Sequence, residues 1–113
     1  IGPKLQAQVH STWPGAVTWL FPVSKKVPEW IRGKHNTIAL RITSHPIVRR
    51  LCERFDGPIV STSANRQGEE PARTLTRLHK MFEKSIDVYV PGDIGKDKKA
   101  TPIFDAMSGQ CYR

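Results

Sequence analysis

Hydrophobic and polar positions follow two different periods along the chain, and this predicts helices interspersed with strands. Helical spacing predicts helices over residues 3–12 and 74–83, a third from Pro46 to the Asp56-Gly57 pair, and a helical turn over 28–31. Strand-like runs cover 17–21, 37–43, 59–61 and 86–90, and residues 103–106 and 110–112 predict a closing hairpin. The predicted fold class is α/β (α+β by some schemes), with a twisted mixed sheet flanked by helices.

The same patterns predict which side chains face the core. In the strand over 37–43, alternation places Thr37 and Arg41 together on a polar, ligand-facing side. Residues 91–99 are predicted to form a lysine-rich loop. The predicted inward positions are Ile38, Leu40 and Ile42 in that strand, Ile47, Val48, Leu51, Cys52 and Phe55 in the helix after Pro46, and Leu75, Leu78 and Phe82 in the next helix.

The chain carries an excess of positive charge, which bears on its binding partners. The 113 residues include 18 Lys and Arg against 10 Asp and Glu, which gives a formal net charge of +8 and a pI near 9.9. This favours polyanions such as RNA or nucleotides, although a merely basic surface explains the charge equally well. Cations at helical spacing form either a stripe for tRNA or a solvated helix face: Arg73, Arg77, Lys80 and Lys84. The tryptophans Trp13, Trp19 and Trp30 suggest packing more than base stacking.

The cysteines and histidines predict neither a disulfide framework nor a metal site. Cys52 and Cys111 do not make a disulfide framework, and the four histidines lack zinc-ligand spacing, so no structural metal is expected. No apolar run reaches the length of a membrane span, and the first residues lack the order of a signal peptide. The chain also lacks an initiator Met. We expect a cytoplasmic protein without membrane contact, and a chain that begins inside a longer gene product.

The segment from Gly57 to Asn65 is the most informative stretch. An apolar run, Pro58-Ile59-Val60, leads directly into Ser61-Thr62-Ser63-Ala64-Asn65. Backbone N–H groups at such a turn can bind an anion, and the hydroxyl and amide side chains add neutral donors. Taken alone, the segment is better explained as a hydroxyl-rich turn that caps a strand.

Four motifs together resemble the YrdC/TsaC family. Residues 13–18 read Trp-Pro-Gly-Ala-Val-Thr, residues 37–42 read Thr-Ile-Ala-Leu-Arg-Ile and are followed by His45-Pro46, residues 58–65 read Pro-Ile-Val-Ser-Thr-Ser-Ala-Asn, and residues 99–105 read Lys-Ala-Thr-Pro-Ile-Phe-Asp. Their order and spacing match the family over nearly the whole chain. The resemblance implies a YrdC-like fold. It also implies synthesis of L-threonylcarbamoyl-AMP from L-threonine, bicarbonate and ATP, with release of pyrophosphate.

The resemblance also assigns ligand-binding residues and partners. It implies ATP contacts at Thr37, Ser63, Asn65 and Arg113, and L-threonine contacts at Arg41, Ser61 and Thr101. ATP is a substrate in this family and is expected with Mg²⁺ held through phosphate oxygens. In the family, the product supplies the threonylcarbamoyl group that is placed on adenosine 37 of tRNA. Further expected partners are therefore downstream tRNA-modification proteins and tRNA or double-stranded RNA.

Two family motifs are missing from the chain. Family members begin with a "PTET" strand–loop and a "KxR" motif, and neither is present. Residues 1–113 are therefore interpreted as the C-terminal portion of a single YrdC-like domain. We expect this portion alone to be inactive and poorly folded, because half a sheet leaves unpaired strand edges.

Two other functions stay open at this stage. One is an RNA-binding module in tRNA or rRNA maturation, which the net charge favours. The other is the related carbamoyl-transfer domain of hydrogenase maturation, although no zinc-finger or acylphosphatase segment accompanies it here. No Ser-His-Asp spacing suggests a covalent nucleophile, so no catalytic residue is assigned, and catalysis is expected to work by alignment and charge stabilisation.

Overall fold

A computed structural model describes residues 2–94 and 101–113 and divides the chain into two compact units. The first unit comprises residues 1–57 with 97–113, and the second comprises residues 58–96. Part of the predicted lysine-rich loop, residues 95–99, lies outside the described residues. The elements of the first unit are α1 (Pro3–Thr12), β1 (Thr18–Pro22), α2 (Glu29–Arg32), β2 (Thr37–Leu40), α3 (Pro46–Phe55) and β3 (Ile103–Asp105).

The first unit contains a mixed three-stranded sheet with the order β2-β1-β3. β1 pairs antiparallel with β2, so that Trp19 lies opposite Leu40, and it pairs parallel with β3, so that Trp19 also lies beside Phe104. The predicted hairpin forms after β3, with an antiparallel bridge between Phe104 and Cys111. The mixed sheet flanked by helices is therefore confirmed.

Trp19 is the centre of the core in this unit. Its side chain is 3% exposed and clusters with Val9 of α1 and Ala106. The indole N–H donates to Oγ1 of Thr12 at 2.9 Å, and its ring lies 5.2 Å from that of Phe104. A buried indole needs a partner for its N–H, and α1 supplies it. This contact ties the helix to the central strand.

The Trp13-Pro14-Gly15 turn forms a tight corner before β1. The Gly15 N–H donates to the Ile42 carbonyl at 2.8 Å. A Cβ atom on Gly15 would lie 2.6 Å from the Thr12 carbonyl oxygen, closer than real Cβ contacts. Only glycine fits there without a shift of the Thr12 carbonyl. β2 ends at Leu40, opposite Trp19, and the prediction of a strand through residue 43 is wrong at that end.

α3 begins at Pro46 as predicted and ends with Asp56 in the left-handed conformation. The predicted inward stripe is wrong for Leu51 and Phe55, which are 43% and 62% exposed, and no residue of α3 is buried. The inward alternation of β2 is likewise wrong at Leu40, which is exposed. An apolar face becomes buried only against another surface, and no helix or strand of its own unit packs extensively on α3.

The second unit is built around α4 (Leu75–Phe82), which is followed by a 3-10 turn over Glu83–Ser85. Thr74 is the N-cap, and its Oγ1 accepts a hydrogen bond from the Arg77 N–H at 3.1 Å. Met81 is the buried residue of the helix, whereas the predicted inward residue Leu75 is 41% exposed.

The two strands predicted in the second unit are absent. Residues 59–61 and 86–90 are not assigned to any strand in the described part of the chain, and Val60 and Val88 are 74% and 73% exposed. A strand needs a neighbour to accept and donate its backbone hydrogen bonds. Among the described residues, neither of these two apolar runs pairs with a neighbouring strand. Within the described residues, no helix is long and apolar enough to span a membrane.

Candidate functional site

The sheet brings Arg41 and Thr101 to the same end of β1. Arg41 directly follows β2, whose last residue lies opposite Trp19, and Thr101 lies two residues before Ile103, which pairs with Thr18. The chain before β3 and the chain after β2 are two strand spacings apart, or about 10 Å. An extended arginine side chain can cover that gap. The Arg41 Nη1 donates to Oγ1 of Thr101 at 3.1 Å.

A second arginine contacts Thr101 from the other side. The closing hairpin pairs the end of the chain with β3, since the Ile103 N–H donates to the Arg113 carbonyl at 3.0 Å. The Arg113 side chain turns back, and its Nε and Nη2 donate to the Thr101 carbonyl at 3.0 and 2.9 Å. Two guanidinium groups therefore meet at one threonine, and both are exposed. Such a cluster can bind a carboxylate or a phosphate.

Thr37 is not part of this cluster. It lies at the opposite end of β2 from Arg41, paired with Pro22, and is half-buried. Thr37 and Arg41 are four residues apart, which is about 13 Å along an extended chain. Among the described residues, none of the hydrogen bonds joins the Thr37 side chain to Arg41, Thr101 or Arg113.

Asp105 ends β3 and stabilises the turn of the hairpin. Its Oδ1 accepts hydrogen bonds from the backbone N–H groups of Met107 at 2.7 Å and Ser108 at 2.9 Å. These two N–H groups, that of Ser108 first, lower the pKa of the Asp105 carboxyl below its usual 3.8. The carboxylate is thus occupied by its own turn. Asp105 therefore stabilises the turn that follows β3.

The second unit carries Ser61, Ser63 and Asn65. Both serines are exposed, and because no strand forms here, the expectation that they share a strand face is not met. The Asn65 N–H donates to the Ser63 carbonyl at 3.0 Å, and its side-chain Nδ2 donates to the Arg66 carbonyl at 3.0 Å. The Asn65 Oδ1 is buried and accepts no hydrogen bond within the described residues. The amide Nδ2 is thus engaged by the main chain, and the Oδ1 is a buried acceptor without a donor in the described part of the chain.

Arg66 is a residue that the sequence predicts only as part of a loop. Its Nε donates to the Met81 carbonyl at 3.2 Å, and its guanidinium lies over the Phe82 ring, 5.5 Å from the centroid. Arg66 follows Asn65 directly, so these contacts fix the end of the hydroxyl segment against the last turn of α4. The Arg-Gln-Gly turn that follows carries no local signal for this contact, because an arginine in a loop is usually solvated.

A family model for the Sua5/YciO/YrdC proteins, described as "Telomere recombination", matches residues 1–113. The chain belongs to this family. Among curated relatives it is 48% identical over 113 residues to the threonylcarbamoyl-AMP synthase of Coxiella burnetii (strain RSA 493 / Nine Mile phase I), and 47% identical over 109 residues to that of Methylococcus capsulatus. These alignments cover 100% and 96% of the chain. They cover 61% and 59% of the relatives, so the chain spans less than two thirds of their length.

A comparison of folds with solved structures leads to the same family. The crystal structure of P. abyssi Sua5 complexed with L-threonine matches with a TM-score of 0.87 and 25% sequence identity. The match covers 98% of this chain and 33% of that protein. The resemblance to the YrdC family and its fold is thus confirmed. The positions assigned to ATP and threonine stay predictions.

Proposed function

We propose that the full-length gene product containing this chain is a threonylcarbamoyl-AMP synthase. The observation that carries the proposal is the hydrogen bond between Arg41 and Thr101. These residues are 60 positions apart. Each is assigned to L-threonine by a different motif. The name of the Coxiella burnetii and Methylococcus capsulatus relatives supports the proposal, as does the L-threonine bound in P. abyssi Sua5.

In the first unit, Arg41 binds the carboxylate of L-threonine. A guanidinium group matches a carboxylate with two parallel N–H···O bonds, and the Nη1 contact to Thr101 holds it in one orientation. The Thr101 hydroxyl accepts from Arg41 and still carries its own O–H, which is free to donate to a substrate oxygen. Thr37 is assigned to the nucleotide on the family resemblance alone.

In the second unit, Ser61 contacts threonine, and Ser63 and Asn65 contact the nucleotide. The exposed Ser63 hydroxyl donates to a phosphate oxygen without adding a formal charge. Asn65 is assigned with Ser63 to the phosphate region of the nucleotide on the family resemblance alone.

The chemistry proceeds in two bond-forming steps. The amine nitrogen of L-threonine attacks the carbon of bicarbonate, and loss of water leaves a carbamate. A carbamate oxygen then attacks the α-phosphorus of ATP, and the bond to pyrophosphate breaks. The protein contributes alignment of the three substrates and stabilisation of charge, and no side chain becomes covalently attached. The reaction takes place in the cytoplasm.

Magnesium enters with ATP in this proposal, through phosphate oxygens. Among residues 2–94 and 101–113, no three His, Cys, Asp or Glu side chains lie together in a way that fits a metal ion. The described side chains thus do not fit a dedicated magnesium cage, and no step is assigned to a protein-bound metal.

The acceptor of the threonylcarbamoyl group is tRNA in this proposal, and α4 offers a surface for it. Arg77 and Lys80 of α4, and Lys84 of the 3-10 turn that follows it, are exposed. Exposed cations along one short segment suit a phosphate backbone. Replacing Arg77 and Lys80 together with Ala should weaken tRNA binding and reduce its salt dependence, measured by filter binding at several salt concentrations. Unchanged binding would remove this surface from the proposal.

The synthase proposal is tested by pyrophosphate release from the purified full-length gene product. Release should require L-threonine, bicarbonate and ATP together, and the product should have the mass of threonylcarbamoyl-AMP. The chain of residues 1–113, assayed alone, should release none. Release without threonine or bicarbonate would contradict the proposed reaction. Salt-sensitive RNA binding with no ATP binding would favour the RNA-binding alternative.

A further inference from the structure

Trp30 is the tryptophan that the fold leaves in solvent. Trp13 and Trp19 pack in or against the core of the first unit. The indole N–H of Trp13 donates to the Val17 carbonyl at 2.8 Å, and that of Trp19 has its partner in α1. The Trp30 side chain is instead 78% exposed, and it has neither a hydrogen bond nor a ring contact within the described residues. This indole therefore does not stabilise the fold by packing.

The connection that carries this indole is held in one shape by its own hydrogen bonds. It joins β1 to β2, and the Val23 N–H donates to the Asn36 carbonyl at 3.0 Å and closes its base. Nε and Nη1 of Arg32 donate to the carbonyls of Val27 and His35 at 3.4 and 3.3 Å. A fixed turn lowers the entropy cost of binding, because the aromatic ring is already presented to a ligand.

The same connection is basic. Residues 23–36 contain four cations and one acid, which are Lys25, Lys26, Arg32, Lys34 and Glu29. The three lysines are exposed, whereas Arg32 is half-buried and bonds the carbonyls of its own loop. Exposed ammonium groups suit phosphates, and an exposed indole offers a face on which a base can stack. This combination fits a single-stranded nucleic acid better than an apolar protein surface.

We propose that Trp30 is a stacking platform for an unpaired base of RNA, with Lys25, Lys26 and Lys34 contacting the neighbouring phosphates. A base can stack on a side chain only when it is not already stacked within a duplex. The stacking platform therefore selects single-stranded segments, such as the loops and ends of a tRNA. This inference rests on the proposed function, since it takes tRNA as the partner, and it adds a contact in the first unit to the α4 surface of the second.

Binding of single-stranded RNA to the full-length gene product tests the ring itself. The probe is an oligo(A) of about 12 nucleotides, which is within the usual range of single-strand site sizes. Trp30→Ala should weaken its binding about ten-fold, the size of one lost stacking contact. Trp30→Phe should keep most of the affinity, whereas Trp30→Leu should lose it, because leucine is apolar but has no ring. Unchanged binding by Trp30→Ala, or full binding by Trp30→Leu, would overturn the proposal.

The matched controls are a duplex ligand and a second exposed aromatic residue. Trp30→Ala should leave binding of the oligo(A)–oligo(U) duplex unchanged, because paired bases do not reach the indole. Phe55 of the same unit is 62% exposed, and the charges near it in sequence cancel: Arg50, Arg54, Glu53 and Asp56. Phe55→Ala should therefore bind oligo(A) as the wild type does. An equal loss for the duplex or in Phe55→Ala would contradict the proposal.

Salt dependence separates the lysines from the ring. Lys25→Ala/Lys26→Ala should weaken oligo(A) binding and reduce its salt slope by about 0.7 for each lost phosphate contact. Trp30→Ala should leave the slope unchanged, because it removes no charge. An unchanged slope in the lysine variant would contradict the phosphate contacts.

Acrylamide quenching shows whether another segment of the full-length protein covers Trp30. The emission that disappears in Trp30→Phe should be quenched by acrylamide in the free protein and protected by oligo(A). Emission that acrylamide does not reach in the free protein would show that the indole is covered, and it would overturn the proposal.

Pyrophosphate release without RNA tests the synthase proposal on the same samples. A protein that makes no threonylcarbamoyl-AMP but loses oligo(A) binding with Trp30→Ala would support the stacking platform and reject only the synthase. A protein that makes threonylcarbamoyl-AMP and binds oligo(A) equally well with Trp30→Ala would reject only the stacking platform.

Discussion

The two units of this chain bury their apolar residues to very different extents. The first unit surrounds the indole of Trp19 with α1, β3 and the hairpin, and it contains Val9, Trp19 and Ala106 as buried residues. In the described part of the second unit, Met81 is the buried hydrophobic residue, and two apolar runs remain extended and exposed. Both units are rich in apolar sequence. Burial therefore depends on whether an apolar segment has a paired neighbour, and hydrophobicity alone does not provide one.

The contrast between Trp19 and Trp30 should give the largest effect. Trp19→Ala removes a 3% exposed indole and its hydrogen bond to Thr12, so we expect a loss of about 3–5 kcal/mol in the free energy of unfolding. Trp30→Ala, at a side chain that is 78% exposed, should change it by less than about 0.5 kcal/mol. Denaturant unfolding of the full-length protein measures both. Equal losses would mean that Trp30 is covered, contrary to this account.

The glycine of the corner should have the next largest effect. Gly15→Ala places a Cβ against the Thr12 carbonyl and strains the hydrogen bond to Ile42, at a cost of about 1–3 kcal/mol. Gly57→Ala is the matched control, because a Cβ atom on Gly57 would meet no other atom within 4 Å, and it should be close to neutral. Thermal melting of the two variants compares them directly. A neutral Gly15→Ala would show that the corner relaxes freely.

In the second unit, we expect the largest effect of a single substitution on local stability at the N-cap of α4. Thr74→Ala removes the acceptor for the Arg77 N–H and should cost about 1 kcal/mol. The control is Thr76→Ala, an exposed position inside the same helix, where alanine should be neutral or slightly stabilising. Hydrogen exchange of the α4 amides measures the local effect. If the two variants behave alike, the cap does not stabilise this helix.

Asp105 should give the smallest effect, and that effect should disappear at acid pH. Its pKa is lowered in the folded state by the N–H groups of Ser108 and Met107, so the carboxylate stabilises the hairpin above its unfolded pKa near 3.9. That contribution is lost as the pH falls through the lower folded value. Asp105→Asn should remove this part of the pH dependence: it should lower stability slightly near pH 7, where the carboxylate is ionised, and have little effect at a pH below the folded pKa. A carboxyl ¹³C titration that places the Asp105 pKa above 3.8 would contradict the turn geometry.

The elements that could be predicted from sequence are those with local signals. Pro46 begins α3, Thr74 caps α4, and Gly33 ends α2, because caps and breakers act within a few residues. The absent strands at 59–61 and 86–90 could not be foreseen, because pairing depends on distant segments. The helical face of α4 was also missed: successive residues are rotated by about 100°, so burial of Met81 in place of Leu75 reflects packing and not pattern.

The candidate site also combines features that local motifs predict with features that depend on distant segments. Motif matching assigned Arg41 and Thr101 to one ligand, and the sheet explains how they meet. The contacts of Arg113 with Thr101 and of Arg66 with Met81 depend on where long side chains reach after the chain has folded back. No local sequence pattern predicts which distant backbone carbonyl a long side chain will contact. Thr37 and Arg41 are four residues apart, so strand alternation places them on the same side of the sheet. The length of β2 nevertheless separates their side chains.

Calorimetric binding of L-threonine to the full-length gene product tests the central claim most directly. The wild-type protein and Arg49→Gln should bind threonine with the same affinity, because Arg49 is an exposed arginine of α3 outside the Arg41–Thr101 contact. Arg41→Gln should lose at least about ten-fold in affinity, since it removes the charged partner of the carboxylate. If Arg41→Gln binds threonine as tightly as the wild type, Arg41 is not the threonine ligand and the proposed site is wrong.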